Sequence, residues 1–313
     1  MPYPYDIDEI NRRISIDPEN FARECEAIYA RKVMETAANI KERADISRVV
    51  FLSGPSGSGK TTTAHKICHS LENIRIRART VSMDRYYVTL DPKTAPRTEG
   101  GEYDFESPFC LDLELLNEHL HALNRGEGVM VPDFNFANQS RDRSNEIPLK
   151  LGKGEVVIFE GIHALNDMIA DEHPEAFKLY ISARSDIERK GELHFKRTWS
   201  RLLRRIVRDE LFRATGASDT LKMWANVRHG EKQYISPYKY KASLLFDSSM
   251  PYEVPVMRRF ALKALSRVPD GIERFDELHA LLPALEEFSD VDPELVPPES
   301  ILREFIGGGI YKY

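Results

Sequence analysis

The chain has 313 residues, 42% of them hydrophobic, and a formal net charge of -6 at pH 7. That length is enough for one nucleotide-binding core with helical appendages, and the mildly acidic balance supplies no overall field to recruit nucleic acid or an anionic membrane. Cys25, Cys68 and Cys110 lack C-x-x-C spacing, no apolar run reaches the length of a membrane span, and Met1 to Tyr5 shows no leader pattern, so a cytoplasmic protein with reduced thiols is expected.

Taken in chain order, residues 6–44 carry Ile10, Ile14, Phe21, Ile28, Val33 and Ile40 at a spacing that predicts a short and a longer amphipathic helix, divided at Asp17-Pro18. Their role is read as packing or a dimer surface. Arg48 to Ser53 reads as a buried parallel strand and Thr62 to Leu71 as a helix. Between them Gly54-Pro55-Ser56-Gly57-Ser58-Gly59-Lys60-Thr61 is a complete G-x-x-x-x-G-K-[ST] phosphate loop in the context that motif requires. The glycines let successive N–H groups point into one concavity, and the helix that follows adds the positive end of its dipole. Gly54, Ser56, Gly57, Ser58, Gly59 and Thr62 are assigned to this cradle. Lys60 is to reach the β- and γ-phosphates, and the Thr61 hydroxyl is to meet Mg²⁺.

Ile74 to Met83 reads as a second strand, which leaves Asp84 at its carboxyl end, the edge where open α/β sheets bind ligands. A carboxylate there can accept the proton of an attacking hydroxyl and help hold Mg²⁺; a helix cap or solvated loop acid is the alternative. Residues 88–104 are polar, rich in Pro and Gly, and too long for a plain connection. A helix from about Leu111 to Asn124 follows, closed by Gly126, and then a short strand from Gly128 to Pro132. Phe134, Phe136, Gln139 and Arg141 interleave aromatic rings with polar edges, as suits a pocket that stacks a flat ring; a plain β-hairpin is the alternative for the period-2 spacing, and the two can both hold. Glu155 to Phe159 reads as a central strand of Walker-B form, so Glu160 at its end is to hold Mg²⁺ across from Thr61, through water. His163 is read as structural.

Phe177 to Ile181 is the next predicted strand. Arg197 to Arg213 is the one strong basic cluster, an amphipathic helix carrying Arg201, Arg204, Arg205, Arg208 and Arg213 opposite Leu202, Leu203, Ile206 and Val207. It is read as a lid that supplies charge to a transferring phosphoryl group, with a solvated basic face as the alternative. A helical stretch through Trp224 to Tyr234, a strand Ser243 to Phe246 and helices near 254–267 and 272–288 complete the body. The segment Ser300 to Gly309 is expected to dock on the main body or on a second subunit.

The guanine-reading Asn-Lys-x-Asp and the switch Asp-x-x-Gly are absent, which argues against a GTPase. Gly54 to Thr61, Val81-Ser82-Met83-Asp84, Tyr103 to Pro108, Val131 to Arg141, Phe159-Glu160-Gly161 and Arg204 to Asp209 resemble the ordered motifs of the uridine kinase and phosphoribulokinase family, over residues 47–260. Ser300 to Gly308 resembles the tail of longer bacterial uridine-kinase-like proteins, whose N-terminal domain, shared with threonyl-tRNA synthetase, is expected to be absent here. The resemblance implies that Asp84 is the catalytic base, that Glu160 and Thr61 serve Mg²⁺, and that Arg205, Arg208 and Arg213 face substrate and phosphates. Glu106 stands where the family places an Asp on the ribose hydroxyls. Phe134 and Gln139 stand where a Tyr and a His meet the base, and Thr215 replaces a lid arginine. Because a site built for one polar edge rejects molecules lacking it, these changes put uridine itself in question.

The expected architecture is α/β, a P-loop NTPase-type parallel sheet flanked by helices. Its parts are an N-terminal helical extension over 1–46, a kinase domain over 47–267 with a lid at about 197–235, and a C-terminal helical extension over 268–313. The expected activity is ATP- and Mg²⁺-dependent phosphorylation of the primary hydroxyl of a nucleoside-like molecule, with Tyr86 added to the acceptor pocket. The alternatives are a kinase for a non-nucleoside alcohol and a nucleotide-binding regulator. No nucleic-acid or membrane partner is expected, and the two extensions are the candidate contacts for a homo-oligomer.

Overall fold

The protein is described by a computed structural model over residues 4–269 and 275–311. Helix α1 (Ile7–Ile16) is capped by the Asp6 carboxylate, which accepts from the Glu9 N–H. Helix α2 (Pro18–Arg43) begins with Pro18 in its first turn, and the Asp17 side chain accepts from Asn20 N–H, so the Asp-Pro pair divides the two helices as the sequence predicts. Strand β1 (Val49–Ser53) is buried at all five positions and leads through the phosphate loop into α3 (Lys60–Asn73).

Strand β2 (Ala78–Ser82) starts later than the apolar pattern from Ile74 suggests. Ile74 and Ile76 N–H both return to the Leu71 carbonyl, and Arg75 sits at φ 66°, so these residues close α3 before any strand can begin. Helix α4 (Leu113–Asn124) is capped by Asp112. It is followed by β3 (Val156–Glu160), buried throughout, and β4 (Phe177–Ser182). The chain continues through α5 (Arg197–Phe212), α6 (Ala217–Gly230), β5 (Leu244–Asp247), α7 (Glu253–Leu265), α8 (Phe275–Glu286) and α9 (Arg303–Ile306). Residues 270–274, part of the helix expected from Ile272, lie outside the described residues.

The five strands form one parallel sheet in the order β5-β4-β1-β3-β2. Helices cover both faces, as parallel sheets require, and each face has its own apolar core. One unites α2, α3, α5, α7 and α8 with the tail; the other gathers α4 with Val49, Phe51, Val157 and Phe159. The N-terminal helices belong to the first core, where the Tyr29 hydroxyl lies 2.7 Å from Thr63 Oγ1 on α3. A small sheet joins Tyr5–Asp6 to a hairpin of Ile187–Arg189 and Glu192–Phe195. Two further hairpins pair Gly128–Val131 with Ile147–Lys150 and Phe134–Asn135 with Ser140–Arg141. Among the described residues no helix is long and apolar enough to cross a membrane.

Register decides where the chemistry can sit. Glu160 on β3 pairs with Leu52 on β1 and with Ser82 on β2. The phosphate loop, Glu160 and Asp84 therefore emerge side by side at the carboxyl edge of the sheet.

Candidate active site

Gly57 and Gly59 hold φ of 75° and 81°, a region glycine enters without strain. Side chains would also meet obstruction there. A Cβ at Gly57 would stand 3.1 Å from the Arg201 carbonyl oxygen, and one at Gly59 would collide with Ile301. With α3 beginning at Lys60, its first-turn N–H groups, which lack partners within the helix, and its dipole add to the amides of the loop, a surface suited to phosphate. Lys60 Nζ donates to the Pro55 carbonyl at 3.3 Å, and among the described residues the buried Ser58 Oγ has no hydrogen-bond partner.

Acids face this loop. The Thr61 hydroxyl donates to Glu160 Oε1 at 3.3 Å, and burial pushes the Glu160 carboxyl up to about 7 against the pull of Lys60, with Asp84 adding repulsion. A hydroxyl beside a carboxylate is a donor set that fits Mg²⁺, the hydroxyl binding directly and the acid through water. Asp84 lies in the 3₁₀ turn Met83–Tyr86, its N–H donating to the Ser82 side chain that caps the turn. Its carboxyl faces the solvent of the cleft, and the surrounding walls raise it above the ordinary carboxylate range, opposed by Lys60 and Arg213. The same enclosure lowers the Lys60 ammonium, which Glu160, Asp84 and Glu304 hold up. Glu106 is pushed up to about 7 by burial, opposed by Arg205 and Lys60. Its Oε2 is buried with no partner among the described residues, and its side chain leans on Gly230, where a Cβ would collide with it.

The arginines of α5 divide into two sets. Arg201 donates to the Ser56 carbonyl at 3.0 Å and to Glu231 at 2.8 Å. Arg204 is wholly buried, paired with Glu253 and bonded to the Ser248 carbonyl at 2.8 Å and the Gly57 carbonyl at 3.2 Å. These two anchor the helix and brace the back of the loop. Arg205 reaches Ser56 Oγ at 2.5 Å, and burial beside Arg208 lowers its guanidinium to about 10. Arg208 pairs with Asp209 at 2.7 Å, and Arg213, 61% exposed, stands 3.8 Å from the same acid while feeling Asp84 and Glu304.

The acceptor side holds fewer of the expected residues. Phe134 and Phe136 meet at 5.0 Å between ring centroids, and each lies 5.6 Å from Tyr87. The hairpin and the aromatic cluster therefore coexist. Tyr86 does not join them: its ring is fully buried and its hydroxyl lies 3.0 Å from His119 Nδ1, because the 3₁₀ turn after β2 aims Tyr86 into the core and leaves Tyr87 outward. Gln139 is exposed at the hairpin tip with φ 50°. Arg141 is committed to Asp112 at 2.9 Å. Sequence reasoning passes over Tyr87 and Tyr234, whose hydroxyl donates to Asp104 at 3.0 Å, while His163, read as structural, is driven down to about 4 by burial and kept neutral. Only the alternation Tyr86-Tyr87 at a strand end carries a signal for the first.

A phosphate cradle, a hydroxyl in the first turn of α3 facing an acid at a strand end, and arginines on a crossing helix define a P-loop phosphotransferase. The chain belongs to the phosphoribulokinase / uridine kinase family, whose model matches residues 49–254; it is a kinase with an alcohol group as acceptor. A uridine kinase of Staphylococcus aureus (strain JH9) is 29% identical over 198 residues, 63% of this chain and 86% of that protein. A solved chain from Silicibacter sp. TM1040, assigned as a fructose transport system kinase, aligns at TM-score 0.48 and 20% identity over 65% of this chain and 95% of its own. A D-glycerate 3-kinase from Cryptococcus neoformans var. grubii aligns at TM-score 0.34 and 16% identity over 82% and 87%.

Proposed function

We propose that the chain transfers the γ-phosphoryl group of ATP, with Mg²⁺, to the primary hydroxyl of a nucleoside or nucleoside-like alcohol. The observation that carries this reading is that Asp84 and Glu106 share one cleft with Lys60, and that Tyr87 of the aromatic cluster feels the charge of both acids. The backbone donors of Gly54, Ser56, Gly57, Ser58, Gly59 and Thr62 cradle the polyphosphate, with Lys60 as the mobile charge. Thr61 and Glu160 hold Mg²⁺, which when bound offsets charge on the phosphates. Asp84 accepts the proton of the attacking hydroxyl, and Glu106 takes hydrogen bonds from neighbouring hydroxyls. Arg205, Arg208 and Arg213 stabilise the equatorial oxygens in a direct in-line transfer. Phe134, Phe136 and Tyr87 offer faces to a flat ring.

Gln139 favours a second reading. At the exposed hairpin tip it supplies no inward amide edge, which suits a kinase for a non-nucleoside alcohol. Donor consumption with ATP and Mg²⁺ against ribo- and deoxyribonucleosides and several non-nucleoside alcohols separates the two, with Asp84→Asn as the control. Turnover on one nucleoside, abolished in the control, supports the first reading. Turnover confined to non-nucleoside alcohols moves the assignment to the second.

A further inference from the structure

The tail ends on the phosphate loop. Ser300, Ile301, Leu302 and Phe305 are fully buried, Ile301 presses on Gly59, and the Arg204 guanidinium lies 5.3 Å from the Phe305 ring centre. Lys66 on α3 donates to the Glu299 carbonyl at 2.8 Å. Held by these neighbours, the half-buried Glu304 side chain reaches the first turn of α3. Its Oε2 accepts from the Thr62 hydroxyl at 2.6 Å and from the Thr62 N–H at 3.3 Å. Its charge is also felt by Lys60, Glu160 and Arg213.

Thr62 N–H is one of the first-turn donors that α3 cannot satisfy internally, and the helix dipole makes it a site for negative charge. A carboxylate meets that demand as a phosphate oxygen does, and one N–H cannot be given fully to both.

We propose that Glu304 is an intrachain competitor for the phosphate cradle, a residue of the donor site that must swing off Thr62 before polyphosphate can take the whole nest. This rests on the reading that the loop holds the donor and is independent of the acceptor. The tail itself stays in place, because Ile301, Leu302 and Phe305 anchor it on both sides of Glu304. Only the glutamate side chain turns.

The test is calorimetric titration of the full chain with inorganic tripolyphosphate and with ADP, in the absence of metal, for the natural sequence, Glu304→Gln, Glu304→Asp and the exposed control Glu299→Gln. Glu304→Gln is expected to tighten both ligands about tenfold, the factor for a cradle that is open about a tenth of the time. Glu304→Asp, one methylene shorter, moves the same way, and Glu299→Gln changes neither affinity. Unchanged or weaker binding in both Glu304 variants overturns the inference, as does equal tightening in the control. Binding of neither ligand by any variant overturns it together with the donor-site reading. Tightening without turnover of any nucleoside upholds it and removes only the nucleoside assignment.

Discussion

Glu160→Gln is expected to stabilise the metal-free protein at alkaline pH and to leave it unchanged at acid pH. Glu160 is 6% exposed, and burial raises its carboxyl from 4.5 to about 7 although Lys60 pulls the other way. An acid whose pKa is higher folded than unfolded supports the fold fully only below its unfolded value. As pH rises past that point the unfolded chain loses its proton first, and stability falls until the native carboxyl ionises in turn. A shift of that size corresponds to about 3 kcal/mol, lost between about pH 4.5 and about pH 7. Glutamine has nearly the shape of the protonated acid, keeps an acceptor for the Thr61 hydroxyl and cannot ionise, so it escapes the loss. Urea unfolding in EDTA at about pH 5 and about pH 8.5 reads the difference, which is below about 1 kcal/mol at the first and about 3 kcal/mol at the second. Equal stabilities at both values would refute the reasoning. A variant less stable at alkaline pH would show that the ion pair with Lys60 outweighs burial.

Arg204→Ala strands a buried Glu253 and frees two carbonyls, and is expected to cost about 3–5 kcal/mol in urea unfolding; a loss below 1 kcal/mol, roughly the worth of an exposed pair, would contradict its role as an anchor. Tyr86→Phe removes a buried hydrogen bond to His119 and is expected to cost about 1–3 kcal/mol without changing the KM of the acceptor, whereas Tyr87→Ala raises that KM with little effect on stability. Because burial pushes the Glu106 carboxyl up to about 7 and its ionised form is the better acceptor, acceptor KM is expected to fall as pH rises through that value. The dependence disappears in Glu106→Gln, and a KM that is flat with pH in the natural sequence removes Glu106 from the acceptor site.

What was legible in the sequence was local. The glycines and lysine of the phosphate loop, the apolar run before Glu160 and the Asp-Pro start of α2 each state their structure within a few residues, since backbone conformation and burial act at that range. The sheet edge followed from them, because parallel strands bring their carboxyl ends together. The side of a turn on which a ring lands did not follow: Tyr86 and Tyr87 are chemically alike, and only the 3₁₀ geometry after β2 separates core from cleft. The division of labour on α5 was hidden for a similar reason. Arg204 and Arg205 are neighbours of one type, and what commits Arg204 to the core is Glu253, 49 positions away. The docking of Glu304 on Thr62 spans 242 positions and has no local signal at all.

These long-range contacts explain the electrostatics of the cleft. Lys60, Arg205 and Arg213 face Asp84, Glu106, Glu160 and Glu304 across a space whose walls are poorly solvated. Asp84, Glu106 and Glu160 are raised and Lys60, Arg205 and Arg213 lowered, so for these groups enclosure outweighs pairing, and each such ion is held at some cost. An entering polyphosphate supplies the negative charge those cations lack. It also repels the acids, which a proton or a metal ion must then offset. On the proposed reading, Mg²⁺ held by Thr61 and Glu160 would offset part of this repulsion, and withdrawal of Glu304 would remove another part. Donor binding and metal binding would thereby be coupled through these two carboxylates: removing the charge at Glu304 should strengthen metal-free nucleotide binding, while removing it at Glu160 should abolish any gain in nucleotide affinity from Mg²⁺. Calorimetry with ADP at zero and saturating Mg²⁺ separates the two acids, and an Mg²⁺ effect that survives Glu160→Gln would break the argument.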